Sequence, residues 1–68
     1  MRYAIVIEKA EVNYSAYVPD LPGCVATGRT RADVQRRIQE TIRFHLDGMR
    51  EQEQAPPDPS AWTDLIEV

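Results

Sequence analysis

The hydrophobic positions of this chain change period twice. Residues 2–8 are dense in β-branched types, with Tyr3, Ile5 and Ile7 alternating with Ala4 and Val6, and predict a strand. Residues 9–13 are polar and predict a turn. Residues 14–18 resume the period of two, with Tyr14, Ala16 and Val18 on one face and Tyr17 on the other, so the two segments predict a hairpin. Pro19-Asp20-Leu21-Pro22-Gly23 then interrupts the pattern. Each proline drives the residue before it into extended backbone, and Gly23 is free to turn left-handed, so a stiff corner is expected. Residues 24–28 leave that corner as a third strand.

The period then becomes helical. Val34, Ile38, Ile42, His45, Leu46 and Met49 form one apolar stripe, which predicts a helix over residues 31–49. Thr30-Arg31-Ala32-Asp33 resembles a capping box, with Asp33 in the place of the usual Glu or Gln. Residues 51–60 are polar and carry Pro56, Pro57 and Pro59, which predicts an extended connection. Residues 62–68 contain Trp62, Leu65, Ile66 and Val68 and predict a last strand. The order is βββαβ within one domain over residues 1–68. It implies an α+β two-layer sandwich, a mainly antiparallel sheet under a single helix.

At 68 residues the chain buries only roughly 60% of its unfolded surface, and the core supplies at most ~3–5 kcal/mol unaided. Cys24 is the only cysteine, so no internal disulfide assists, and with His45 as the only histidine a zinc site has no ligand set. No cofactor or metal is expected. The first strand is apolar on both faces, whereas one helix covers a single sheet face. The leftover apolar surface makes a homodimer or larger homo-oligomer the expected state.

The net charge of −3 is unevenly spread: −1 over residues 1–28, +3 over 29–50 and −5 over 51–68. The basic helix invites a nucleic-acid reading. However, Asp33, Glu40 and Asp47 each stand three residues before Arg36, Arg43 and Arg50, so the arginines are largely paired on the helix itself. No aromatic residue alternates with them as a stacking platform requires. Phe44 is read as lying at the rim of the apolar stripe. His45 is read as a packed, hydrogen-bonded residue and Cys24 as a buried small hydrophobe. No phosphate-binding loop, dinucleotide fingerprint or triad is present, and no enzyme activity is expected. A remnant metal-dependent nuclease would have to use acids such as Glu8 and Glu67. No stretch approaches the ~20 apolar residues of a membrane span and the start lacks signal-peptide character, so a cytoplasmic protein is expected.

The corner offers the sharpest candidate for partner binding. A stiff loop presents exposed side chains at little entropic cost. Tyr17, Pro19, Asp20, Leu21, Pro22 and Phe44 are accordingly the expected partner-binding residues.

The segment Tyr14-x-Ala16-x-Val18-Pro19-Asp20-Leu21-Pro22-Gly23-Cys24-Val25, followed by Gly28-x-Thr30 at a helix start, resembles the HicB-like antitoxin domain. The resemblance runs over essentially the whole chain, with Asp33-Val34 where the family favours Glu-Ala. It implies a partial ribonuclease-H-like fold without catalytic acids, and a protein that neutralises a small basic mRNA-cleaving toxin of the HicA type by binding it. The acidic tail and Asp20 would complement such a toxin's charge. Many family members carry a further DNA-binding domain. This chain ends at Val68 without one, so direct DNA binding is not expected. The rival reading is a solitary homo-oligomeric interaction module with no toxin partner.

Overall fold

The computed structural model describes all residues from Met1 to Val68. Three strands, Val6–Lys9 (β1), Tyr14–Tyr17 (β2) and Val25–Gly28 (β3), form one antiparallel sheet in the order β1-β2-β3, followed by the helix Arg31–Glu51 (α1). The α+β arrangement is the one the hydrophobic periods predict.

The register sorts the strand residues into two faces. Ile7, Ala16 and Ala26 lie opposite one another across the three strands and face the helix, as do Lys9, Tyr14 and Gly28. Ala16, Val18, Leu21 and Cys24 from the sheet and corner meet Val34, Ile38 and Leu46 of α1 in a core of seven buried residues. Tyr3, Ile5, Ile7, Tyr14, Ala26, Ile42 and Met49 pack half-buried around it. The helix sits mainly over β3 and β2 and barely reaches β1, which is why the inner residues of β1 are the least covered. Gly28 marks the closest approach of the layers. A Cβ there would stand 2.7 Å from the Val34 backbone nitrogen, so only glycine lets the helix start lie this near β3.

Both helix ends have a chemical cause. Thr30 is the N-cap, and its hydroxyl oxygen accepts the Asp33 N–H at 3.0 Å. Asp33 does not return a bond to Thr30; it pairs with Arg36 at 3.5 Å instead. The helix runs two residues beyond the expected end at 49. It stops where Glu53 turns left-handed at φ 58°. There the Glu53 N–H donates to the Arg50 carbonyl and the Gln54 N–H to the Met49 carbonyl, the Schellman pattern with glutamate in glycine's usual place.

One expected element is absent. Residues 62–68 form no strand, and no backbone hydrogen bond joins them to β1 or β3. Trp62, Leu65, Ile66 and Val68 are all exposed. A strand exists only when a neighbouring edge supplies its hydrogen bonds, and the tail stands off from the sheet. The radius of gyration, 13.0 Å, exceeds the ~11 Å of a compact chain of this length. The helix is not long and apolar enough to cross a membrane.

Candidate protein-interaction surface

The corner between β2 and β3 is a folded object rather than a loose loop. The Val18 N–H donates to the Cys24 carbonyl, the Leu21 N–H to the Val18 carbonyl and the Cys24 N–H to the Leu21 carbonyl, at 3.1–3.2 Å. Gly23 takes the left-handed turn at φ +83°. Leu21 was expected to be exposed; it is instead 1% exposed and pins the corner into the core. Burying an isobutyl group is worth roughly 1.5–3 kcal/mol, which outweighs anything a solvent-facing leucine would contribute to the fold. Pro19 and Pro22 remain on the surface.

Asp20 is also not the free charge the sequence implied. Its Oδ2 accepts the backbone N–H groups of Ser60 at 2.9 Å and Ala61 at 3.1 Å, and its Oδ1 accepts the Ser60 hydroxyl at 2.8 Å. These bonds, the Ser60 N–H first, hold the Asp20 carboxyl below its ordinary value. The corner thereby grips the chain forty residues on, and the grip fixes where the tail leaves the body. The Tyr3 hydroxyl holds the same connection by donating to the Pro57 carbonyl at 2.6 Å.

The outer sheet face carries the surface that remains. Val6, Tyr17 and Val25 lie side by side across the three strands, and Glu8, Ser15 and Thr27 form the next row on that face. The face is therefore apolar at the corner end and polar at the hairpin end. Tyr17 is 42% and Val25 61% exposed, and the exposed Pro19 and Pro22 lie in the corner that joins their strands. Tyr17, Pro19 and Pro22 are thus all exposed in or beside the corner, whereas Leu21 is buried and Asp20 is bonded to Ser60 and Ala61. Val25 belongs to this surface and was not singled out from the sequence. The signal was present in the alternation, since Cys24 and Ala26 point to the helix and Val25 must point away.

Phe44 stands apart, 82% exposed on the helix rather than at the rim of its stripe. At 100° per residue it lies about 120° round the helix from Ile38, beyond the reach of the sheet. His45 is half-buried beside it and makes no side-chain hydrogen bond within the chain. Cys24 is buried and free, and burial pushes its thiol pKa up, away from reactivity. On α1, Arg36 pairs with Asp33 and Arg50 with Asp47 at 3.5 and 3.3 Å, while Arg43 and Glu40 do not pair. No three metal-ligating side chains stand together, and Glu8 faces outward in the row with Ser15 and Thr27.

Residues 3–67 match the family described as HicB_like antitoxin of bacterial toxin-antitoxin system. Among relatives, a UPF0150 protein of Thermoplasma acidophilum is 32% identical over 62 residues, covering 90% of each chain. A UPF0150 protein of Helicobacter pylori is 42% identical over 50 residues, 74% of this chain and 69% of the relative. An uncharacterized 14.9 kDa protein from the rep-hol intergenic region of Haemophilus phage HP1 is 40% identical over 57 residues, and there the chain spans only 43% of the relative's length. No solved structure matches the chain. With the match running from β1 through the helix into the tail, over the corner that organises the whole surface, the chain belongs to the HicB-like antitoxin family.

Proposed function

We propose that the chain is a non-catalytic antitoxin that binds a small basic, RNA-cleaving toxin and masks its RNA site. The observation that carries this reading is the Val6–Tyr17–Val25 row, an apolar strip half-buried at Val6 and exposed at Tyr17 and Val25, built on a rigid sheet in a chain of this family. A strip of this kind buries against a partner with little loss of backbone freedom, because each strand is already fixed by its neighbours. The −5 charge of residues 51–68 favours a basic partner and speeds its approach. The proposed site of action is the cytoplasm.

The test is co-expression with a HicA-type toxin, together with a binding titration of purified proteins. The intact chain rescues growth, binds the toxin directly and associates more slowly as salt rises. Tyr17→Asp and Val25→Asp each weaken binding at least tenfold while the circular dichroism spectrum stays the same. Undiminished binding and rescue by both variants would remove this surface from the mechanism. A second reading, a solitary self-associating module, draws on the exposed apolar side chains of the tail. It is favoured if the chain self-associates and no toxin binds.

A further inference from the structure

β3 is an open edge of the sheet, and its backbone groups can be placed one by one. The Val18 N–H donates to the Cys24 carbonyl, and the register carries that ladder on through Ala16–Ala26 and Tyr14–Gly28. Bonded pairs alternate along an antiparallel ladder. Ala26 and Gly28 therefore turn their N–H and C=O groups to β2, while Val25 and Thr27 turn theirs to the open edge. No turn or side chain supplies Val25 or Thr27 with a partner. The strand carries neither proline nor lysine, the residues that commonly guard such an edge.

A groove of about 460 Å³ runs along this edge, with residues 25–27 on one side and Arg36, Arg37, Glu40 and Thr41 of α1 on the other. At about 100° per residue, Arg37 and Thr41 lie about 100° and 60° round the helix from Ile38, nearest the strand. Arg36 and Glu40 lie about 160° round, where their opposite charges offset each other. Arg37 is exposed and makes no ion pair, whereas Arg36 shares Asp33. Phe44 stands about 20° from the direction of Arg37 and ~10 Å further along the helix. It is 82% exposed and has no role in the sheet-face surface described above. The flank thus sets a cation and then an aromatic ring beside a row of unused backbone groups.

We propose that this groove takes an extended acidic segment of another protein as a fourth strand, antiparallel to β3. The free edge selects extended backbone, because only that conformation meets the Val25 and Thr27 groups together. Residues of the added strand that face α1 alternate with those that face away. A carboxylate on the inner face meets Arg37, and an apolar side chain two residues later meets Thr41 and the Phe44 ring, which leans back toward the start of the helix. Arg37 repels a basic segment, so this surface serves a second partner and does not rest on toxin binding.

The test is an NMR titration of the full chain with a blocked eight-residue peptide of alternating threonine. Its inner positions read Val, Glu, Leu and Val. The Val25 and Thr27 amides are expected to shift and to gain exchange protection at up to millimolar peptide. Replacing the peptide's Glu by Lys weakens binding at least about tenfold. Arg37→Glu reverses that preference with the helical dichroism unchanged, and Phe44→Ala weakens binding of the parent peptide. Methylating the threonine amides, which face β3, abolishes binding, whereas methylating the Glu and Leu amides, which face away, does not. No shift at Val25 and Thr27 overturns the proposal. Equal binding of the Lys peptide overturns the acidic partner, and survival of binding after threonine methylation overturns strand addition. Toxin binding is judged separately through Tyr17→Asp, which lies outside this groove.

Discussion

Ser60 gives both its backbone N–H and its hydroxyl to the carboxylate of Asp20, at 2.9 and 2.8 Å, across forty residues of sequence. This pair ties the corner to the connection after the helix and sets the departure point of the tail. Its strength depends on the carboxylate being ionised. A carboxyl whose pKa is depressed in the folded protein stabilises that fold above the unfolded value, about 3.9. The contribution is lost as pH falls through the lower folded value. The Ser60 and Ala61 amide resonances are therefore expected to stay constant from neutral pH down to about 5 and to move only at acid pH. Their midpoint should lie below that of an unfolded aspartate. In Asp20→Ala the transition disappears and the two amides exchange freely at neutral pH.

The Tyr3 hydroxyl holds the same connection from the other side, through the Pro57 carbonyl. Tyr3→Phe keeps the ring against the core and removes this bond together with the hydroxyl's long contact to the Met1 sulfur at 3.9 Å. A loss of about 0.5–1.5 kcal/mol in urea unfolding is expected, with a more exposed connection in limited proteolysis.

Gly28 and Gly23 answer differently to the same substitution. At Gly28 a methyl group meets the Val34 backbone nitrogen at 2.7 Å and the Val34 Cα at 3.0 Å, so the helix start must move away from β3. Gly28→Ala is expected to cost about 1–3 kcal/mol as overpacking. At Gly23 the space is open, and only the left-handed backbone resists a side chain. Gly23→Ala is expected to cost about 1–2 kcal/mol, and Gly23→Asn less. Unchanged stability in Gly28→Ala would contradict the layer spacing described above.

Glu53 occupies the left-handed position that closes the helix, and as an acid it meets the negative end of the helix dipole. Glu53→Gly should remove the steric cost and the charge conflict together, leaving the glycine entropy as the opposing effect. A net gain of about 0.5–1 kcal/mol in thermal or urea unfolding is expected.

Ile38, 1% exposed at the centre of the helical stripe, is the most demanding position. Ile38→Ala is expected to cost about 2–5 kcal/mol, comparable with all that a core of this size supplies. The variant should be largely unfolded by circular dichroism at 25 °C unless a partner is bound.

The helix was legible in the sequence because its causes are local. Val34, Ile38, Ile42, Leu46 and Met49 repeat at the helical period, and Thr30 caps from three residues away. The hairpin and the two sheet faces were legible for the same reason, since alternation along a strand fixes which side chains share a face. Leu21 and Asp20 were not. A proline-rich corner looks exposed along the chain, and only three-dimensional packing turns Leu21 into the core and brings Ser60 within reach of Asp20. The tail is the plainest case. Trp62, Leu65, Ile66 and Val68 carry strand composition, but a strand needs an edge to pair with. Where that edge lies is a non-local matter that the Asp20 grip, and not the local pattern, decides.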